Sequence, residues 1–387
     1  QIKAKLKVKS EGARYISCSC PFHPPDRHPS FAINKQRYYA VDFHTGEVFS
    51  LKELAEKLGI TLERGGSIIK DLEEVFKEDF SQFFDDGKFV PKRLGDYILE
   101  KYHIFTHRYS DEIYVYQNGV WKPKGETIIA REVKEALGER FKQHYLNEVI
   151  SYVKASTYCV PEEPPVHLIN LKNGIYNLET DTLEPHSPEY FFFNQLPVEY
   201  DPEADCPKIK KFLNEVAASK EDVKVLEEIA GYCLYRSYPI QKALMLVGEG
   251  NNGKTTFLNL LRRFLGDGNV ACKSLQSLES NRFAVASLFG KLANIYPDLS
   301  NKSLTQTGIF KMLTGGDLIE AEKKFKDSFK FVNYAKLLFS CNKLPSTFDD
   351  TEAFFRRWII LTFPNKFEGE RCNPNILDEI TTPEELS

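Results

Sequence analysis

Apolar and polar positions alternate at the start of the chain, where Ile2, Ala4, Leu6 and Val8 are separated by Lys3, Lys5, Lys7 and Lys9. A period of two predicts a short amphipathic strand with a basic face. Aromatic strands near 37–43, a turn at Thr45-Gly46 and a helix at about 50–58 complete a small β-rich unit. The next segment, 61–92, carries Gly65-Gly66 and then an acidic, Phe-rich stretch. There Asp71, Glu73, Glu74, Glu78, Asp79, Asp85 and Asp86 stand against Lys77, which reads as a linker or a solvated amphipathic helix. Between 93 and 236 the pattern is mixed α+β. It predicts a helix over 94–101, strands at 113–117 and 120–122 joined by Asn118-Gly119, and a long helical stretch over 127–155. A hairpin is expected at Asn173-Gly174-Ile175-Tyr176, then a helical pair over 207–236. From 242 onward short apolar strands alternate with helices, the pattern of a parallel α/β sheet. The expected fold is therefore multi-domain: 1–60, a linker at 61–92, then 93–236 and 237–387.

The richest chemistry lies at the start of the last segment. Residues 242–247 form a buried-strand pattern that runs into Gly248-Glu249-Gly250-Asn251-Asn252-Gly253-Lys254-Thr255-Thr256 and then an apolar helix. This satisfies G-x-x-x-x-G-K-[ST] between a strand and a helix, the context a phosphate loop requires. Glycines let successive backbone N–H groups curl around phosphate oxygens, and the helix N-terminus adds partial positive charge. Lys254 would reach the β/γ phosphates and Thr255 would hold Mg²⁺. A second strand ends in Asp298, a carboxylate suited to the metal or its waters, although an Asp after a Pro turn is also common on surfaces. A third, 335–341, ends on Asn342, whose amide can both donate and accept toward a γ-phosphate or an attacking water. Arg356-Arg357 precedes a strand at 358–363; either guanidinium suits an arginine finger, or a structural ion pair. Finally 319–325 and 328–332 read as a hairpin. Lys323, Lys324, Lys326 and Lys330 cluster on it with Phe325, cations for phosphate and a ring for base stacking.

Composition narrows the reading. The chain has 387 residues, 42% hydrophobic and 27% charged, which excludes global disorder. A formal net charge of -4 denies it whole-domain basicity, so any nucleic-acid surface must be local. Its 8 cysteines are scattered, as in a protein with reduced thiols, and no apolar run approaches the roughly 20 residues that span a bilayer. An intracellular location is expected. The opening Gln1 and the helix-like ending at Glu384-Glu385-Leu386-Ser387 suggest a piece of something longer.

The ordered set of motifs resembles the superfamily 3 helicases of the phage, plasmid and poxvirus-type primase-helicase branch. That set is the loop 248–256, Asn281-Arg282-Phe283, 290–300, 311–331, 335–345 and 354–364. The block 93–236 resembles the domain preceding the motor in that branch, through Asn173-Gly174-Ile175-Tyr176, Cys206-Pro207 and residues 229–234. The resemblance implies an AAA+-like P-loop ATPase that translocates on single-stranded DNA as a homo-oligomeric ring, typically a hexamer. It implies that Lys254 and Thr255 are the Walker A pair, Asp298 the Walker B carboxylate and Asn342 the sensor. The segment from Thr314 to Phe331 matches the DNA-contacting hairpin, and Arg356 or Arg357 the finger onto a neighbour's ATP. Leu299 follows Asp298 where many relatives have a second acid, so the group that orients the hydrolytic water stays open. Relatives also continue beyond the end of this chain. An ATP-switched DNA-binding initiator or packaging scaffold is the alternative. A small-molecule kinase would have no use for the sensor and the paired arginines. Any primer synthesis would reside in a primase or polymerase domain upstream.

At the N-terminus, Cys18, Cys20 and His23, followed by His28, resemble the zinc-binding domain of bacterial and phage primases. The second cysteine pair of that family is missing, and residues 39–44 stand in its place. Zinc could still be held by four of Cys18, Cys20, His23, His28, Asp42 and His44. A fold that kept its shape and lost its metal fits equally.

Overall fold

The computed structural model of the chain describes residues 80–387 apart from 109, 305, 323 and 325–327, together with 6, 8–11, 15–19, 21, 31–34, 39–42, 48–50, 54, 57 and 58. Contacts divide it into two compact units, 1–93 and 94–387.

The first unit is an antiparallel meander of β1 (Val8–Glu11), β2 (Tyr15–Cys18), β3 (Phe31–Asn34), β4 (Tyr39–Asp42) and β5 (Val48–Ser50), paired in that order. Ile16, Cys18, Phe31, Ile33, Ala40 and Leu54 are buried together as its core. The Cys18 thiol donates to the Phe31 carbonyl at 3.6 Å. Of the residues considered for zinc, Cys20, His23, His28 and His44 lie outside the described residues, as does the side chain of Asp42. Among the described residues no group of three or more His, Cys, Asp or Glu could hold a metal ion. Of the segment expected to be a linker or an amphipathic helix, Phe80–Phe83 forms one turn of 3-10 helix and 84–89 a hairpin, β6 (Phe84–Asp85) with β7 (Lys88–Phe89). Asp86 and Gly87, both at positive φ, make its two-residue turn. An Asp-Gly pair flanked by aromatics is a local turn signal that the acidic composition obscured.

Helix α1 (Pro91–Lys101) spans the 93/94 boundary, and the second unit continues with β8 (Ile104–His107), β9 (Ile113–Gln117) and β10 (Val120–Lys122). The β9–β10 turn at Asn118-Gly119 is as expected, with both residues at positive φ. The long helix expected over 127–155 is two helices, α2 (Gly125–Leu137) and α3 (Gln143–Thr157). Gly138 at φ +50° ends the first, an arrangement a glycine permits and the apolar periodicity does not reveal. After β11 (Tyr158–Cys159), which pairs parallel to β8, comes a meander of β12 (Leu168–Leu171), β13 (Gly174–Asn177) and β14 (Thr182–Glu184). Gly174 is needed there for proximity, because a Cβ would lie 2.6 Å from the Glu184 carbonyl oxygen.

Helices α4 (Pro207–Val216) and α5 (Lys220–Leu234) lead to the larger sheet. Its strands are β15 (Ala243–Val247), β16 (Val270–Ala271), β17 (Ala293–Tyr296), β20 (Lys336–Cys341) and β21 (Trp358–Thr362). They are all parallel, in the order β16-β17-β20-β15-β21. Both faces are covered, which explains why 243–247 is apolar throughout instead of alternating. Leu244 and Leu246 pack with α4, α5 and the helix after the phosphate loop. Ala243 and Met245 face a second core containing Phe310, Leu313, Phe339 and Phe354. The first core joins residues of 169–233 with residues of 244–380, so the two segments fold around shared side chains. Lys336 reinforces this junction. Its buried ammonium donates to the carbonyls of Tyr235, Ser237 and Tyr334 at 2.6, 2.9 and 2.8 Å and sits over the rings of Tyr232 and Tyr238. Burial pushes its pKa down to about 7, and these acceptors are what it has to hold its charge.

Glu132 on α2 is buried and accepts from Lys101, from the Tyr102 hydroxyl at 2.6 Å and from Arg131 at 3.2 Å. Burial alone would raise its pKa, but these donors bring it below the ordinary 4.5. The stability it contributes is therefore present above about pH 4.5 and lost as pH falls through the lowered pKa. Glu132→Gln is expected to cost about 2 kcal/mol in urea unfolding at pH 7, and the gap to wild type should close in acid. A gap independent of pH would show that the carboxylate charge is not what matters.

Candidate nucleotide site

Parallel strands open their loops at one sheet edge, and ligands collect where neighbouring connections leave in opposite directions. That point here is β15, flanked by β20 and β21. The loop after β15 runs into α6 (Lys254–Leu265), which begins at Gly253 in the left-handed region at φ +85°. A Cβ at 253 would also approach Val216 Cγ1 to 2.5 Å, so this glycine is fixed by both conformation and packing. The Lys254 side chain is buried, and its ammonium donates to the Gly248 carbonyl and to Asn252 Oδ1, each at 2.7 Å. The Asn252 amide donates in turn to the Phe363 carbonyl at 3.2 Å, tying the loop to the chain beyond β21. Burial pushes the Lys254 ammonium below its ordinary pKa, while the Cys341 sulfur and the Asp298 carboxylate pull the other way. Exposed Glu249 pairs with Lys366 at 3.2 Å.

A cleft of about 420 Å³ gathers the phosphate loop from Gly250 to Thr256 with Asp298, Ser340, Cys341 and Asn342. The strand expected over 291–299 is shorter, and Asp298 lies two residues past its end at φ +66°. Ser340 holds it there. Its hydroxyl accepts from Asp298 N–H at 3.3 Å and its carbonyl from Leu299 N–H at 2.7 Å. Two roles went unread in the sequence: the Asn252 side chain as a brace for Lys254, and Ser340 as the anchor of Asp298. Both depend on contacts between distant segments, which local spacing does not report. The donor set suits a polyphosphate with a hard cation, because Thr255 offers a hydroxyl, Asp298 a carboxylate and α6 its N-terminal amides.

The two arginines differ. Arg357 is buried, donating from Nε to Thr314 Oγ1 at 3.0 Å and from Nη1 to the Ala353 carbonyl. Arg356 is exposed. Both stand before Trp358, which pairs with Ala243 at the entry end of the sheet. Four strand steps, roughly 13 Å, separate that end from Val247 and the chain's own phosphate loop.

The expected hairpin is β18 (Leu318–Glu322) with β19 (Ser328–Val332). Ile319, Ala321, Phe329 and Phe331 face the core, and Phe289 packs edge-on against both phenylalanines. Lys324 is exposed near the turn; Lys323, Phe325 and Lys326 lie outside the described residues.

Two stretches of the chain match known protein families. Residues 93–217 match a family described as "D5 N terminal like", and 246–357 match "Family of unknown function (DUF5906)". A protein of Acanthamoeba polyphaga mimivirus named "Putative helicase" is 24% identical over 250 residues, 62% of this chain and 26% of its own. Another so named, of Invertebrate iridescent virus 6, is 25% identical over 244 residues, 56% of this chain and 24% of its own. The chain spans about a quarter of the length of these curated relatives. The NrS-1 C-terminal region shares the fold, with a TM-score of 0.53 at 15% identity over 76% of this chain and 67% of that one. These likenesses support kinship with viral helicase-type replication proteins. Among the described residues no helix is long and apolar enough to cross a membrane.

Asn252→Ala removes one of the two acceptors of Lys254 and the tie to Phe363. It is expected to weaken binding of a fluorescent ATP analogue about tenfold, roughly 1.4 kcal/mol, in an equilibrium titration. Unchanged affinity would show that Gly248 alone suffices to place the lysine.

Proposed function

We propose that this chain carries the motor of an ATP-dependent DNA helicase of the superfamily 3 type, with 237–387 as the AAA+-like ATPase and 93–236 as its associated domain. The observation that carries this reading is the convergence of Lys254, Thr255, Asp298 and Asn342 in one cleft while Arg356 stands exposed at the opposite sheet edge. A guanidinium there is badly placed for its own nucleotide and well placed for a neighbour's. That favours a ring of identical subunits, with ATP at each interface.

In this mechanism the amides of α6 and the Lys254 ammonium bind the β/γ phosphates, and the Asn252 and Gly248 oxygens aim the lysine. Thr255 and Asp298 would hold Mg²⁺, which when bound offsets the negative charge of the phosphates. The Asn342 amide orients the γ-phosphate or the attacking water. Arg356 of one subunit offers its planar fork to the phosphoryl group bound by the next. Lys324, together with Lys323, Phe325 and Lys326, would meet the backbone and bases of single-stranded DNA. A ring presents several such tips to one strand, which compensates for the modest charge of each.

Lys254→Ala should abolish ATP hydrolysis, and Arg356→Ala should lower turnover on the order of 10³-fold. Mixing the two proteins should restore part of the activity, since each supplies the group that the other lacks. No restoration, with both variants folded, would count against a finger acting in trans. Steady-state ATPase assays with and without an oligothymidine decide the partner: turnover indifferent to DNA would favour an ATP-switched initiator or packaging scaffold.

A further inference from the structure

The helix that precedes the hairpin, α7 (Gly308–Gly315), is tied to the ATPase at both ends. At its start the Glu279 carboxylate accepts from the Phe310 and Ile309 amides at 2.8 and 3.3 Å. Asp349, seven residues beyond Asn342, accepts from the Thr307 hydroxyl and from Lys311 Nζ, the latter at 2.9 Å. At its end, wholly buried Thr314 receives the Arg357 guanidinium, while its own hydroxyl donates to the Phe310 carbonyl at 2.8 Å. Two glycines follow at once, the second at φ +79°, and β18 begins two residues later at Leu318. The chain thus passes from a bolted helix through a glycine pivot into the hairpin.

We propose that the Thr314–Arg357 hydrogen bond is the joint through which the nucleotide interface sets the angle of the 318–332 hairpin, with Arg357 as a positioning residue. The inference rests on the reading of Arg356 as the trans finger. Arg357 is its immediate neighbour in the chain, and its carbonyl accepts from Ala243 N–H at 2.7 Å on the phosphate-loop strand. Any movement of Arg356 toward a neighbouring phosphate is passed to a buried guanidinium that donates to Thr314 and to the Ala353 carbonyl. Thr314 sits at the foot of a lever. A rotation of about 5° there displaces a point four strand steps away by roughly 1 Å. Packed interfaces respond to such shifts by switching between discrete arrangements.

The test uses Thr314→Val, close in shape but without the hydroxyl, and Thr314→Ser, which keeps it. Affinity for a labelled oligothymidine is measured with a non-hydrolysable ATP analogue and with ADP, beside ATPase without DNA. Wild type is expected to bind DNA at least about fivefold differently in the two states, the lower end of ordinary coupling. In Thr314→Val that ratio falls to about one, while DNA-free ATPase of the folded protein stays close to wild type; Thr314→Ser restores the ratio. Should Thr314→Val fail to fold, Arg357→Lys keeps the charge, lacks the Nε–H donor and is expected to lose the same ratio. A ratio retained in whichever variant folds overturns the proposal, as does a loss of DNA-free ATPase in step with the ratio. Undiminished ATPase in Arg356→Ala overturns the finger reading instead, and is measured separately.

Discussion

Parallel pairing of β15 with both β20 and β21 is the constraint on which the rest of this molecule depends. Parallel strands all point one way, so their exits share one edge and their entries the other. The phosphate loop, Asp298 and Asn342 leave from exits; Arg356 and Arg357 lie at an entry. No side-chain rotation can bring the two groups together across the depth of the sheet. On the proposed mechanism, a chemistry that uses both sets draws them from two copies of the chain.

The sheet needs cover on both faces, and on one of them part of that cover comes from outside the 237–387 segment. Helices α4 and α5 contribute Phe212, Val216, Leu226 and Ile229 to one side. On the other side the hairpin strands bring Ile319, Ala321, Phe329 and Phe331. The proposed DNA-contacting element is thus half core and half tip. Its inward residues hold a place in the fold, and on the proposed mechanism the end that carries exposed Lys324 meets the DNA.

Much of this was legible in the sequence. The phosphate loop declares itself because its chemistry is local: a strand, a glycine turn and a helix within some twenty residues. The Asn118-Gly119 hairpin is legible for the same reason. Features fixed by tertiary contact were hidden. Arg356 and Arg357 are neighbours with identical side chains, and only the burial of one beside Thr314 tells them apart. Asp298 reads as a strand end, yet it sits in a left-handed bend braced by Ser340, a residue 42 positions away. The break in the helix expected over 127–155 was missed because apolar periodicity carries smoothly across Gly138 and says nothing about φ.

The triple-capped ammonium of Lys336 has a consequence for descent. It takes carbonyls from Tyr235 and Ser237 and ring faces from Tyr232 and Tyr238, all contributed by the segment before the larger sheet. A recombination joint placed between α5 and β15 would leave a buried cation short of partners in the recipient, unless the incoming segment happened to supply the same carbonyls and rings. Exchange of the 237–387 segment alone would therefore cost stability at this junction. The two segments are expected to be inherited as one block, with crossovers tolerated upstream of the shared core.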